Sequence, residues 1–312
     1  MNTYSNNNMK EDTTIAKSAS FGLAAKVKDY FQLIKFTLSF MVVFSTVISY
    51  LLAPNVRFDI LSVLLLFAGG MCLTGSANTI NQILEKDTDA LMKRTATRPV
   101  ASGRMTAAEA TVFAVVIGIV GVFIMWYWFN FSSAMIGLFS LFLYGFIYTP
   151  LKKINSIAVL VGALPGALPC LIGWIAATNE FSAGGWILFA IQFLWQFPHF
   201  WAIAWVAHKD YSIAGFKLLP SDKGPTKFTA LQSVMYSALM VPVGMLPYYY
   251  NISSIVSLWV VLACNLWMVY VSVLLYRRMD VPSARKVMFS SYFYLMIVLV
   301  SLYADKVRIP TV

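Results

Sequence analysis

Three oxygen-bearing side chains, Asn81, Glu85 and Asp89, recur at intervals of four within the segment NQILEKDTDALMKRTATRP, residues 81–99. On a continuous helix each step of four drifts by only about 40°, so the three line one face. A face of oxygens suits a hard divalent cation such as Mg²⁺. Asp87 adds another carboxylate as a candidate ligand. A loop needing only positive charge would gain nothing from these acids, because like charges at this spacing repel unless a cation lies between them. Four basic residues follow at once, Lys93, Arg94, Arg98 and Arg104. They supply an anion site beside the metal site, and the pair describes a bound metal diphosphate.

A second polar stretch, QFLWQFPHFWAIAWVAHKDYSIAGFKLLP, runs from Gln192 to Pro220 and holds both histidines of the chain. Pro198 removes a backbone donor in mid-helix, which exposes carbonyls that only a lined cavity tolerates. His199 lies directly beyond it. An intramembrane histidine is costly without a partner or a cavity, which makes it a functional candidate; the plain alternative is a packed histidine bonded to a neighbouring carbonyl. Asp210 is placed to close a shared metal site from across the bundle, with Lys209 beside it, whereas His208 reads as a loop residue. The third stretch, YTPLKKINS (148–156), ends a helix at Pro150 and carries Lys152 and Lys153 on the same side as the acids. Either lysine suits a phosphate or carboxylate; lysine pairs at a helix end also serve topology alone. Tyr144, Tyr148, Trp195, Phe197, Phe200, Trp201 and Trp205 concentrate near Pro198 and His199, pointing to an aromatic cavity.

The elements that position these residues are membrane helices. The 312-residue chain is 59% hydrophobic and only 12% charged, with mean hydropathy +0.72, outside the soluble globular range. Charge-poor runs long enough to cross a hydrocarbon core of about 30 Å begin near Leu33, Ile60, Ala107, Ser132, Ser156, Gly184, Thr229, Ser253 and Val287. They predict an all-α, polytopic membrane protein with nine transmembrane helices around a central cavity. The connections at residues 1–35, 85–105, 151–155, 208–228 and 277–286 hold 20 of the 23 Lys and Arg. The positive-inside rule therefore places that side and the N-terminus in the cytoplasm. Topology and anionic lipid account for the net charge of +10, and no nucleic-acid partner is needed.

Residues 1–30 read as a polar and interfacial N-terminal segment, 31–306 as one transmembrane domain and 307–312 as a short tail. Positions 21–35 have the spacing of an interfacial helix. The stretch Phe21–Ala25 is too short for a signal-peptide core, so no cleaved export signal is expected, and the absence of an Arg-rich amphipathic leader favours a bacterial plasma membrane. Cys72, Cys170 and Cys264 sit in apolar runs without CxxC spacing, against a disulfide framework or a zinc site. The second and sixth helices both end in acid-bearing segments, a layout that predicts a duplicated four-helix unit plus one extra helix.

These residues resemble the intramembrane prenyltransferases of the UbiA type. The resemblance covers nearly the whole chain and rests on N-x3-E-x-D-x-D-x2-M-x-R-T-x2-R-P from Asn81 to Pro99, YTPLKK (148–153), GALPGALPCLIGW (162–174), QFPHFWAIAW (196–205), KDYSIAG (209–215) and ARKVMFSSYFY from Ala284. The PHFW and KDY segments are similar to the heme-modifying branch. The chain departs from the family where Glu85 replaces an aspartate, where Lys35-Phe36-Thr37 replaces Lys-Pro-Arg, and where Ala207 and Tyr211 stand in place of the aspartates of quinone-type relatives, so that Asp210 carries the second acid motif alone.

The resemblance implies transfer of the farnesyl group of farnesyl diphosphate to a vinyl group of heme B, with addition of water, to give heme O. It implies Mg²⁺ held by Asn81, Glu85, Asp87, Asp89 and Asp210. Arg94, Arg98, Lys152, Lys153 and Lys209 would take phosphate charge, with Lys152 also placed for a heme propionate. Tyr148, Trp195, His199 and Tyr211 would line the heme and prenyl cavity, His199 as an iron ligand or as the base that orients the water. Handover of heme O to a heme A synthase or a terminal oxidase is implied as well, although no residue pattern marks either partner. A quinone-type prenyltransferase would present the same diphosphate half-site. A transporter would carry its polar site nearer the midplane, and a purely structural role would leave Asn81 and Asp89 replaceable.

Overall fold

The computed structural model describes residues 22–221 and 223–307. Most of the segment 1–30 and of the tail 307–312 lies outside the described residues. Helix α1 (Gly22–Leu33) meets α2 (Phe36–Leu52) at a bend of 50°, with Lys35 in a left-handed conformation between them. Along α1, Leu23, Val27 and Phe31 are exposed at intervals of four, while Asp29 and Leu33 are buried. Then come α3 (Ile60–Leu84), the six-residue α4 (Lys86–Leu91) and α5 (Ala107–Trp128). Asp59 caps α3, and hydrogen bonds from the Ser62 hydroxyl and backbone N–H hold its carboxyl below the usual range.

The next span runs from Phe131 to Leu151. It comprises α6 (Phe131–Phe142), a π-helical turn (Leu143–Tyr148) and α7 (Thr149–Leu151). Five helices complete the bundle: α8 (Ala158–Thr178), α9 (Ala183–Val206), α11 (Lys227–Tyr249), α12 (Ile255–Arg278) and α13 (Val281–Ala304), with the short α10 (His208–Ile213) following α9. Among the described residues eight helices are long and apolar enough to cross a membrane singly, and the bent pair α1–α2 makes a ninth when counted as one span. One boundary is corrected. The last helix begins at Val281, not near Val287, because Asp280 caps it and Pro282 stands in its first turn, a position where a missing N–H costs nothing. Arg285 and Lys286 thus ride on the helix.

The spans pack in a closed order: α2 on α3, α3 on α5, α5 on α6, α6 on α8, α8 on α9, α9 on α11, α11 on α12, α12 on α13, and α13 back on both α9 and α2. The helix α8 also packs on α2 and is the most buried of the spans. Its sequence explains this. Gly162, Ala163, Gly166, Ala167, Gly173 and Ala176 let neighbours approach closely, as small residues do between membrane helices. At Gly173 a Cβ would run into the Thr46 carbonyl of α2. Pro169 frees the Pro165 carbonyl from the helix ladder, and Ser140 of α6 donates to it at 3.2 Å. The side-chain amides of Gln192 and Gln196 bond the Gly166 and Ala163 carbonyls at 2.8 and 3.0 Å. The largest hydrophobic cluster joins Ile48, Leu52, Trp174, Leu188, Met268 and Leu299, residues of α2, α8, α9, α12 and α13.

The two acid-ended helices share one backbone feature. Both α3 and α9 break at a single residue with nearly the same dihedrals, Glu85 at φ −99° and ψ 8° and Ala207 at φ −94° and ψ 15°, and each resumes as a six-residue helix.

Candidate active site

The oxygens of the first acid segment stay in phase across the break at Glu85. Backbone hydrogen bonds from Glu85 N to Asn81 O (3.0 Å) and from Asp89 N to Glu85 O (2.7 Å) carry the four-residue spacing through it. Asn81, Glu85 and Asp89 are all buried, with Asp89 at 0% exposure. Asp87, expected among the metal ligands, is exposed instead; two residues from Glu85 and Asp89, it lies about 200° around the helix from each.

Each buried oxygen group has a cationic neighbour. Arg98 Nη1 lies 2.6 Å from Asp89 Oδ2 and Lys152 Nζ 2.7 Å from Glu85 Oε1, while Lys35 Nζ donates to Asn81 Oδ1 at 2.7 Å. Asn81 also donates from Nδ2 to Thr149 Oγ1 at 3.2 Å. Thr149 in turn donates to the Tyr144 carbonyl, so the π-helical turn sets one wall of the site. Turns of this kind recur at functional sites because they shift a helix face by one residue. The Lys152 ammonium lies over the rings of Tyr148 and Phe216, at 4.7 and 5.5 Å from their centroids, and the Lys152 carbonyl accepts from Lys217 N at 2.7 Å. That bond ties the loop after α7 to the loop after α10. A cavity of about 320 Å³ opens there, with His208, Tyr211, Ser212, Phe216 and Lys217 in its lining.

The fit of a divalent cation can be tested on the oxygens themselves. Asp89 Oδ1 is buried and has no hydrogen-bond partner among the described residues. Glu85 Oε1 has the Lys152 ammonium close by, yet outside hydrogen-bonding direction. Buried acceptors without donors are rare because they forfeit solvation, and a hard cation is the partner such oxygens take. Glu85 and Asp89 therefore fit a hard cation such as Mg²⁺, with Asn81, whose Oδ1 accepts from Lys35, on the same face.

Asp210 does not join them. Among the described residues no three Asp, Glu, His or Cys side chains gather at metal-binding distance. The paired breaks supply the reason: counting from Glu85 and from Ala207, the counterpart of Asp89 is Tyr211, and Asp210 falls one residue, or about 100°, out of phase. Tyr211 faces the first acid segment, where its hydroxyl lies 3.4 Å from Arg94 Nη2 and its ring 5.9 Å from the guanidinium.

The basic set is also redistributed. Arg104 bonds Asp29 at 2.9 Å and Gln32 at 3.0 Å, bracing α1 rather than serving an anion. Lys153 and Lys209 are exposed, while Lys152 is buried against the acids. Of the two lysines after Pro150, it is the first that meets the carboxylates.

On α9, His199 is buried and stacks on Trp195, with centroids 4.9 Å apart and planes 20° apart. Its Nδ1 lies 2.7 Å from Ser291 Oγ on α13, and Tyr292 packs edge-on against the ring at 5.0 Å. The partner is a hydroxyl from another helix and not a backbone carbonyl.

Residues 42–297 match the UbiA prenyltransferase family. The chain belongs to that family. Among its curated relatives is the protoheme IX farnesyltransferase of Cytophaga hutchinsonii, 43% identical over 285 residues that cover 91% of this chain and 100% of the relative. The protein of the same name in Flavobacterium psychrophilum is 41% identical, over 89% of this chain and 94% of its own. Among solved structures, that of a digeranylgeranylglyceryl phosphate synthase superposes with a TM-score of 0.75 at 22% identity, covering 90% of this chain and 98% of the other. A UbiA homolog from Archaeoglobus fulgidus bound to GPP and Mg²⁺ superposes at 0.66 and 16% identity, covering 88% and 99%. These last two share the fold.

In this UbiA-family chain, a multi-pass membrane protein, sequence reasoning missed Lys35, Thr149 and Ser291. Lys35 stands at a departure from the family pattern, and its partner is 46 residues away. Thr149 hides inside a run whose lysines draw attention first. Ser291 had no signal beyond its place in the ARKVMFSSYFY segment.

Proposed function

We propose that this protein transfers the farnesyl group of farnesyl diphosphate to a vinyl group of heme B and so makes heme O, as a Mg²⁺-dependent enzyme of a bacterial plasma membrane with its N-terminus and acid-bearing end in the cytoplasm. The observation that carries the donor half is the buried face of Asn81, Glu85 and Asp89 ringed by Lys35, Arg98 and Lys152. The acceptor half is supported by the identity to relatives named protoheme IX farnesyltransferase along nearly their whole length.

Asn81, Glu85 and Asp89 would hold the metal, which supplies Lewis acidity toward the departing diphosphate. Arg98, Lys152, Lys35 and, from the rim, Arg94 are placed to take phosphate charge as the C1–O bond of the allylic ester breaks. Donors fixed in a water-poor site need no reorganisation as that charge grows. The rings of Tyr148 and Tyr144, 5.3 Å apart, stand beside this cluster and shelter the allylic cation by cation–π contact. The vinyl carbon of heme B then bonds to C1. Water adds to the resulting cation beside the porphyrin, and a proton is released. His199 serves this acceptor half, as iron ligand or as the base that orients the water.

The test is the destination of label. Farnesyl diphosphate carrying radiolabel at C1 is supplied with Mg²⁺ and an equimolar mixture of heme B and an aromatic quinone precursor. Label in the extracted heme supports the reading; label in the quinone precursor alone keeps the family and overturns the acceptor.

A further inference from the structure

We propose that Ser291 is the positioning residue of the acceptor half-site, locking His199 as the tautomer that carries its proton on Nδ1 and leaves the lone pair of Nε2 free. The proton balance around one hydroxyl carries this. The Ser291 hydroxyl has a single proton, and it donates to the Met288 carbonyl at 2.6 Å. The 2.7 Å contact with His199 Nδ1 must then run from the imidazole to the hydroxyl. In the opposite arrangement Ser291 would donate to Nδ1 and its bond to the Met288 carbonyl would be lost. One arrangement makes two hydrogen bonds and the other makes one, and leaves the Met288 carbonyl without the hydroxyl, so the first is favoured.

Ser291 also fixes where that lone pair points. Its backbone carbonyl accepts from Trp195 Nε1 at 2.7 Å, so one fully buried residue of α13 grips both members of the Trp195–His199 stack. Trp195 and His199 are four apart on α9 and already share a face. Two bonds to the same residue of a neighbouring helix leave the ring no freedom to flip. Both roles open to His199, iron ligation and proton acceptance, need an unprotonated Nε2, and a second hydrogen bond that fixes the tautomer is how proteins prepare such nitrogens.

The tautomer is independent of the proposed activity; its use toward heme rests on that reading, and two readouts separate them. The full chain holds only two histidines, so ring-¹⁵N-histidine NMR of the protein in lipid nanodiscs, with His208→Gln for assignment, reads His199 alone. The expected result is a neutral ring protonated at Nδ1, redistributed toward Nε2–H in Ser291→Ala and retained in Ser291→Thr, which keeps the hydroxyl. A wild-type ring protonated at Nε2, or an unchanged tautomer in Ser291→Ala, overturns the proposal. Optical titration of the same samples with heme B should show binding roughly ten-fold weaker in Ser291→Ala, restored in Ser291→Thr and weakened at least as much in His199→Phe. Equal heme binding in wild type and Ser291→Ala overturns positioning of an iron ligand, and an equal rate of heme O formation in the two as well overturns the positioning role altogether. Absence of heme binding by the wild type, with the Nδ1–H tautomer observed, overturns the assignment of heme as acceptor and leaves the locked ring standing.

Discussion

Lys35 shows how much of this site is decided between residues far apart in sequence. The four-residue spacing of Asn81, Glu85 and Asp89 is legible in the sequence because a helix converts spacing into a shared face, and burial of all three follows. The cations are not legible in this way. Four arginines and lysines follow the acids closely, yet Arg104 turns to Asp29 and two of the three cationic partners come from elsewhere in the chain, Lys35 from the α1–α2 bend and Lys152 from the end of α7. A charged side chain buried beside carboxylates is retained only when paired, and that pairing distinguishes Lys152 from the exposed Lys153. Lys35→Met should raise the KM for farnesyl diphosphate about ten-fold, the order expected for loss of one charge-assisted contact, and leave heme B binding unchanged. Steady-state kinetics with each substrate varied in turn checks it.

The helices were readable as spans, and their ends as polar clusters; the breaks within them were not. A continuous α9 gives no reason to prefer Tyr211 over Asp210. Only the break at Ala207, matching the one at Glu85 in dihedral and position, sets the phase that aims Tyr211 at Arg94. Asp210→Asn is therefore expected to leave metal dependence of the reaction within about two-fold of wild type, the scale of a side chain outside the coordinating face; activity measured against Mg²⁺ concentration checks this, and a large shift would return Asp210 to the metal. Between elements, close approach limits α2 against α8. Gly173→Ala would press its Cβ on the Thr46 carbonyl, a backbone atom that cannot swing aside. It should destabilise the bundle by about 1–3 kcal/mol, seen as a lower midpoint for heat unfolding followed by tryptophan fluorescence in detergent.

For the molecule as a whole, alternation of the spans collects the acids, Lys35, Lys152 and α10 at one end of the bundle, while contacts such as Lys306 to the Leu51 and Ala53 carbonyls lie at the opposite end. The charge bias of the connections predicts that the first end is cytoplasmic. Asn155→Cys and Asn179→Cys sit in connections at opposite ends. In intact cells a membrane-impermeant maleimide should label Asn179→Cys and spare Asn155→Cys; the reverse pattern would invert the topology. The breaks at Glu85 and Ala207 match in dihedral and position, and at the places of Glu85 and Asp89 the second acid-ended segment carries Ala207 and Tyr211.

The central claim is that the buried oxygen and cation set, and not the polar loops as such, performs the transfer. The most direct measurement is the rate of heme O formation from heme B, farnesyl diphosphate and Mg²⁺, followed by chromatography of extracted hemes, in two matched pairs of variants. Asp89→Asn and Lys152→Met should each lose about 10²–10³-fold, as when one preorganised electrostatic partner is removed, while Asp87→Asn and Lys153→Met should stay within about two-fold of wild type. Equal losses across each pair, or a loss confined to the exposed members, would contradict the account.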